Sequence, residues 1–361
     1  MANYLSNKEY DVTVFVKKRH GIDISKIKKK IPYKIYLMKG RDWAFFKKWY
    51  VRFAIKKFIV KEINPIIISS NWELSEGIIP FKNKLKFKLI TVLHGTEVTR
   101  LNSNKYIKRR KNFIKTLNKS DVVVSVSNYL KNQAKLISNK KIITIHNFVD
   151  SKELYPKKNI DYKSYNFSTD DLIILSLSRL VQAKGHHIVI KSLKLIKKEI
   201  PNIKYIIAGD GDCAYKKELK KLVKKLNLDS YVYFLGHVDG NKKIDLYNLC
   251  DVYVMNSLSF DSLGGSEGFG ITFLEANACG KPVVGTKAGG IPDAIRNNQN
   301  GILVEPDNPE ETAKAIIEIL KNKKKYRALS KGGIERIKNE FDIELIGEKY
   351  KLLIEELYDT L

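Results

Sequence analysis

The sequence predicts an α/β protein of two doubly wound domains, each a parallel sheet covered by helices, facing each other across a cleft. Three observations predict it. A chain of 361 residues fits two domains at about 100–200 residues each. Short apolar runs alternate with stretches of helical length, the pattern of parallel strands buried on both faces. Hydrophobic residues make up 43% of the chain, enough for real cores, which rules out wholesale disorder.

The elements follow in order. In the first half, the β-branched runs 11–16, 35–38, 66–69, 88–93, 122–127 and 141–145 read as strands, and 42–62, 105–118 and 128–138 as helices. In the second half, strands are expected at 172–178, 204–208, 232–235, 252–256 and 282–285. Helices at 185–198, 214–226, 242–249, 269–278 and 309–321 alternate with them. Residues 151–170 are polar and charge-mixed and read as a linker between domains 1–150 and 171–335, with C-terminal helices over 336–361 that pack back on the first domain. Ligands of such sheets bind beyond the carboxyl ends of the strands, so the active site is expected between the halves.

No apolar run approaches a membrane span and no leader pattern opens the chain. Cys213, Cys250 and Cys279 are odd in number and lack metal-ligand spacing, which suits a reducing cytoplasm. The charge is uneven. Residues 1–150 carry 33 basic and 10 acidic side chains, net +23, whereas 151–361 carry 33 and 29, net +4. A compositional bias of the genome would load both halves alike, so the first half is read as a face drawn to a polyanion. No aromatic RNA-reading strand or zinc finger accompanies it, and no nucleic acid is expected.

The sharpest cluster of chemistry-bearing residues is Ser266-Glu267-Gly268-Phe269-Gly270-Ile271-Thr272-Phe273-Leu274-Glu275, with Gly264 and Gly265 just before it. Glycine permits close backbone approach to a ligand, and the first turn of a helix offers N–H groups to phosphate. The two carboxylates would lie about 12 Å apart along a helix, roughly the reach from a sugar across a diphosphate to a ribose. Arg179 and Lys184-Gly185 follow the strand 172–178, where cations can offset the charge of a leaving diphosphate.

These residues resemble those of the retaining glycosyltransferases of family four, which have the GT-B fold of two Rossmann-like domains. The matches are Ser178-Arg179-Leu180 with Lys184-Gly185, Gly209-Asp210-Gly211, Phe234-Leu235-Gly236, Glu267 with Glu275, Thr286 to Asp293, and Asn300-Gly301-Ile302-Leu303-Val304. Weaker landmarks are His94-Gly95, Val126-Ser127-Asn128 and His146 to Asp150. The resemblance implies a second-half donor domain for a nucleotide-diphosphate sugar, UDP- or GDP-linked, and a first-half acceptor domain. By the same resemblance, Glu275 would bind the ribose hydroxyls and Glu267 the donated sugar. The amides of Gly270, Ile271 and Thr272 would bind phosphate, with Arg179, Lys184 and the loop at Gly209 beside it. Gly236, His237 and Val238 would border the base, and His94 would sit near the sugar. His186 and His187 are expected on a helix surface.

Both motif glutamates have binding roles, so no carboxylate stands out as a covalent nucleophile, and the resemblance implies the same-face route to retention, with the leaving phosphate taking the acceptor's proton. The arrangement requires no divalent metal and no other cofactor, and the sequence is expected to offer no Asp-x-Asp signature to hold a metal. The family's opening strand and glycine-rich loop are expected to be missing before the strand at 11–16.

The helix 42–62 places Trp43, Trp49 and other aromatic residues beside a Lys48, Arg52 and Lys56 stripe, and 105–118 carries Lys108, Arg109, Arg110 and Lys111. Both suit an anionic membrane surface, so the expected acceptor is a membrane-associated or lipid-linked glycan on the cytoplasmic face. The alternatives are a glycosyltransferase with a soluble acceptor and a noncatalytic, membrane-docked homologue.

Overall fold

The computed structural model describes residues 1–17, 31–38, 55–56, 58–60, 62, 64–82, 84–102, 106–258 and 266–360. The chain divides into two compact units, residues 1–146 with 343–361, and residues 147–342.

In the first unit, β1 (Thr13–Lys17) and β2 (Lys34–Met38) pair in parallel. Strands β3 (Ile66–Ser69), β4 (Lys88–Leu93), β5 (Val122–Ser125) and β6 (Ile142–Thr144) form a second parallel ladder in chain order. Every residue of β4 after Lys88 is buried, as expected for an inner strand covered on both faces. Helix α1 (Ala2–Asn7) precedes β1, and α2 (Trp72–Ile78) follows β3, started by the Asn71 side chain accepting from the Leu74 N–H at 2.9 Å. Helix α3 (Ile107–Lys119) turns Phe113, Thr116 and Leu117 inward, the three-and-four spacing of one face, and Phe113 meets Trp72 edge-on at 5.4 Å. Helix α4 (Asn128–Lys135) begins at a Ser127 cap.

The last helix, Ile343–Tyr358, belongs to this unit: the Tyr4 hydroxyl donates to Glu348 at 2.8 Å and Tyr10 to Glu355 at 3.2 Å. Of the 42–62 segment, Ile55 and Ile59 are buried, and Phe58 packs on Phe15 at 5.3 Å. Trp43 and Trp49 lie outside the described residues.

The second unit is one six-stranded parallel sheet of β7 (Leu172–Leu177), β8 (Ile203–Ala208), β9 (Val232–Gly236), β10 (Val252–Met255), β11 (Val283–Thr286) and β12 (Gly301–Val304). Its order, β12-β11-β10-β7-β8-β9, is the Rossmann order. Helices α5 (His186–Glu199), α6 (Cys213–Lys225), α7 (Gly240–Leu249), α8 (Ile271–Ala278), α9 (Ile291–Ala294), α10 (Pro309–Lys321) and α11 (Lys323–Arg336) complete it. Strand order reverses between β7 and β10, so the crevice for a ligand opens at their carboxyl ends. Residues Ser178 to Gly185 leave one of these strands and Asn256-Ser257 the other. Residues 147–170 also pack within this unit, where Phe167 is buried and meets Tyr233 at 4.8 Å.

Candidate functional site

Side chains cap most helices of the second unit. Asp212 accepts from Ala214 on α6, Asp239 from Lys242 on α7, Asn308 from Glu311 on α10 and Asn322 from Lys325 on α11. Helices α5 and α8 start instead from Gly185 and Gly270, with φ of +66° and +94° and no side-chain cap. Both begin beyond the carboxyl ends of the central strands; on α8 the N–H groups ahead of Phe273 can face an anion, whereas on α5 the His187 N–H donates to the Tyr215 hydroxyl at 3.4 Å. The left-handed Gly270 also corrects the expected start of α8. The helix begins at Ile271 and not at 269, so the helical rise does not apply between Glu267 and Gly270.

Close backbone approach explains the other glycines of the motif. A Cβ on Gly185 would lie 1.8 Å from the Asn256 carbonyl oxygen, and one on Gly209 would lie 2.0 Å from that of Ser178. The Gly289-Gly290 turn lies against the Glu267 loop: the Gly290 N–H donates to the Glu267 carbonyl at 2.8 Å, and a Cβ at 290 would lie 2.1 Å from the Gly268 oxygen. Arg336, itself buried, holds the next turn by donating to the carbonyls of Asp293 at 2.8 Å and Ala294 at 2.6 Å. Phe341 packs on Phe269 from behind, with ring centroids 5.7 Å apart. The loop that carries Glu267 is thus clamped from two sides.

Both carboxylates are engaged by lysines. Lys184 forms an ion pair with Glu267, with less than a fifth of each side chain exposed. Glu275 is buried; its Oε1 accepts from Lys243 Nζ at 2.6 Å and its Oε2 from the Tyr247 hydroxyl at 2.6 Å. Burial and the Glu275 charge hold the Tyr247 hydroxyl well above the usual phenol range, so it stays a donor. Lys243 and Tyr247 went unread in the sequence. They stand one turn apart on α7, so a shared face was legible there, but not the carboxylate it meets.

Arg179 is exposed just beyond β7, in line with its expected position, and His237 is exposed after β9 with Val238 half-buried. His94 follows β4 in the first unit, where its N–H and that of Gly95 donate to Glu97 at 2.5 and 2.9 Å. On α3, Lys108 and Lys111 are exposed, whereas Arg109 pairs with Glu73 over the Trp72 ring and Arg110 donates to the Leu101 carbonyl.

Two further expectations need correction. His186 is buried, not on a helix surface, because the Gly185 turn points the first residue of α5 into the sheet. Its ring bonds Ser178 Oγ at 3.0 Å and faces the Tyr205 hydroxyl at 3.4 Å, and burial pushes its pKa down to about 4. His187 is half-buried, with Nδ1 at 2.8 Å from the Tyr215 hydroxyl. Second, Asp210-Gly211-Asp212 does spell Asp-x-Asp. Asp212 caps α6 and Asp210 pairs with Lys216 at 3.3 Å, so both carboxylates have structural partners. Among the described residues no group of three His, Cys, Asp or Glu side chains could hold a metal ion.

Comparison with known proteins agrees with this architecture. Residues 1–153 match the family described as Glycosyltransferase Family 4, and residues 157–336 match Glycosyl transferases group 1. The chain is 31% identical over 282 residues to the N-acetyl-alpha-D-glucosaminyl L-malate synthase of Bacillus anthracis, covering 76% of this chain and 69% of that protein. It is 30% identical over 162 residues to a GDP-mannose-dependent alpha-(1-6)-phosphatidylinositol monomannoside mannosyltransferase of Mycobacterium tuberculosis, covering 45% of this chain and 42% of that one. Among solved structures, sucrose-phosphate synthase of Thermosynechococcus elongatus superposes with a TM-score of 0.84 at 22% identity, covering 100% of this chain and 92% of that one. Anabaena HepE in complex with UDP and glucose gives 0.77 at 20% identity, covering 96% and 92%. The Rossmann-ordered sheet with its glycine-started helices, the two family matches and the related sequences agree: the chain belongs to the GT-B glycosyltransferases.

Proposed function

We propose that the protein moves a sugar from a nucleoside-diphosphate sugar, UDP- or GDP-linked, to a membrane-associated or lipid-linked glycan, with retention of configuration. The observation that carries the reading is the pair Glu267 and Glu275 flanking the uncapped start of α8, each neutralised by a lysine. Hydroxyl-rich groups at either end and a diphosphate between them match that pattern of acceptors, N–H donors and cations.

Glu275 then takes the ribose hydroxyls and Glu267 those of the sugar. The amides of Gly270, Ile271 and Thr272 hold the phosphates beside the loop at Gly209, and Gly236, His237 and Val238 border the base. The bond from the anomeric carbon to the diphosphate oxygen breaks, and the bond to the acceptor oxygen forms on the same face. The acceptor's proton passes to the leaving diphosphate. Arg179, Lys184 and the helix start stabilise the charge growing on that group, the largest contribution fixed dipoles and cations make in such a site.

The membrane reading rests on the basic first half, on exposed Lys108 and Lys111 beside exposed Ile107, and on a relative whose name specifies a phosphatidylinositol acceptor. No described helix is long and apolar enough to cross a membrane. The association proposed is peripheral, at the cytoplasmic face. A soluble acceptor is the second reading, favoured by the relative named for L-malate.

A thermal-shift panel of UDP, GDP, ADP and CMP on the wild type and on Glu275→Ala tests the donor site. A nucleotide at a hundred times its Kd stabilises by about 2.7 kcal/mol. One nucleotide shifting the wild type and not the variant is the expected result; no shift with any of the four refutes the reading.

A further inference from the structure

We propose that Lys243 and Tyr247 are positioning residues that set the discrimination of the site for a ribose bearing its 2′ and 3′ hydroxyls. The inference rests on the reading of Glu275 given above. An ionised carboxylate offers about four lone-pair positions. Lys243 takes one on Oε1 and Tyr247 one on Oε2, each at 2.6 Å, which leaves one on each oxygen for two neighbouring hydroxyls.

The two partners do different work. Tyr247 is fully buried, packs against Tyr253 at 5.7 Å, and holds a short bond to a charged acceptor, so it removes the rotational freedom of the glutamate. Tyr253 in turn meets Phe273 edge-on at 5.5 Å, in the first turn of α8 just after the site loop, so the aromatic stack joins α7, β10 and α8. Lys243 keeps about a third of its side chain exposed and sits in the first turn of α7, four residues after the cap Asp239 and directly past Gly236-His237-Val238. Its charge offsets that of Glu275, which would otherwise repel the diphosphate. Lys184 does the same for Glu267 at the other end of the site. The site thus carries a lysine for each glutamate, one from the loop after β7 and one from the helix after β9.

The test uses the full chain and four probes: UDP, GDP and the 2′,3′-dideoxy form of each. Affinities are measured by calorimetry on the wild type, Lys243→Met and Tyr247→Phe. For the nucleotide that binds, the wild type is expected to prefer the ribose form by about tenfold or more, the scale of hydrogen bonds to a charged group. Both variants are expected to lose most of that ratio; Tyr247→Phe binds the dideoxy form within about twofold of the wild type, whereas Lys243→Met binds both forms more weakly because Glu275 loses its counter-charge. A residue that only supports the fold would leave the ratio unchanged. Lys243, being partly exposed, keeps the test open if Tyr247→Phe folds poorly. A wild type that discriminates together with variants that discriminate equally overturns this proposal alone. A wild type that binds no nucleotide, or does not discriminate, overturns the reading of Glu275 and this inference with it.

Discussion

Three alanine substitutions at glycines of the second unit should separate backbone strain from steric closure at the site. At Gly185 the φ of +66° costs an L-residue roughly 1–2 kcal/mol, and the added Cβ would lie 1.8 Å from the Asn256 carbonyl oxygen. Backbone cannot yield as a side chain tip can, so an overpacking cost of about 1–3 kcal/mol is added, for a loss of roughly 2–5 kcal/mol. At Gly236 the φ is +70° but nothing lies within 4 Å of the added Cβ, so only the first cost applies. At Gly240, the first residue of α7, no positive φ and no neighbour stands in the way, and alanine should gain about 0.4–1 kcal/mol by restricting the unfolded chain. Urea unfolding followed by far-ultraviolet circular dichroism is the assay. Tryptophan fluorescence would report only on the first half, since Trp43, Trp49 and Trp72 all lie there. The expected order of stability is Gly240→Ala, wild type, Gly236→Ala, Gly185→Ala. If Gly185→Ala is no worse than Gly236→Ala, the close packing of the α5 start on the end of β10 is refuted.

Other outcomes follow from particular side chains. His186 has a folded pKa of about 4 against 6.5 for the free side chain, so its neutral form contributes fully above pH 6.5 and the contribution is lost as pH falls toward 4. The total is about 3 kcal/mol, and His186→Gln should flatten that part of the urea midpoint against pH; an unchanged slope would sink the assignment. On α3, Lys108→Ala with Lys111→Ala should weaken co-sedimentation with anionic liposomes by about 30-fold, at about 1 kcal/mol per lysine. Arg109 and Arg110 are left in place because they hold Glu73 and the Leu101 carbonyl. Equal binding of the double variant would remove the membrane face.

The amino-acid sequence by itself determined the alternation of strand and helix and the local chemistry of the glycine-flanked glutamates. Both are short-range properties: β-branched runs such as Ile66–Ser69 and Lys88–Leu93 are strands at the expected bounds, and α10 spans Pro309–Lys321 as read. Periodicity along a chain says which residues turn inward, not which element they meet. Strand order was therefore decided only in three dimensions, and with it the switch point between β7 and β10. His186 read as a surface residue because it opens an amphipathic helix, and only the left-handed turn at Gly185 against Asn256 shows why it faces the sheet. The same holds for Glu275. Its place in a motif is visible in one line of sequence, whereas its partners Lys243 and Tyr247 stand 32 and 28 residues away on another helix. Hydrogen bonds of that kind are set by how two helices pack on a sheet, and packing is the one property that no local stretch of sequence contains.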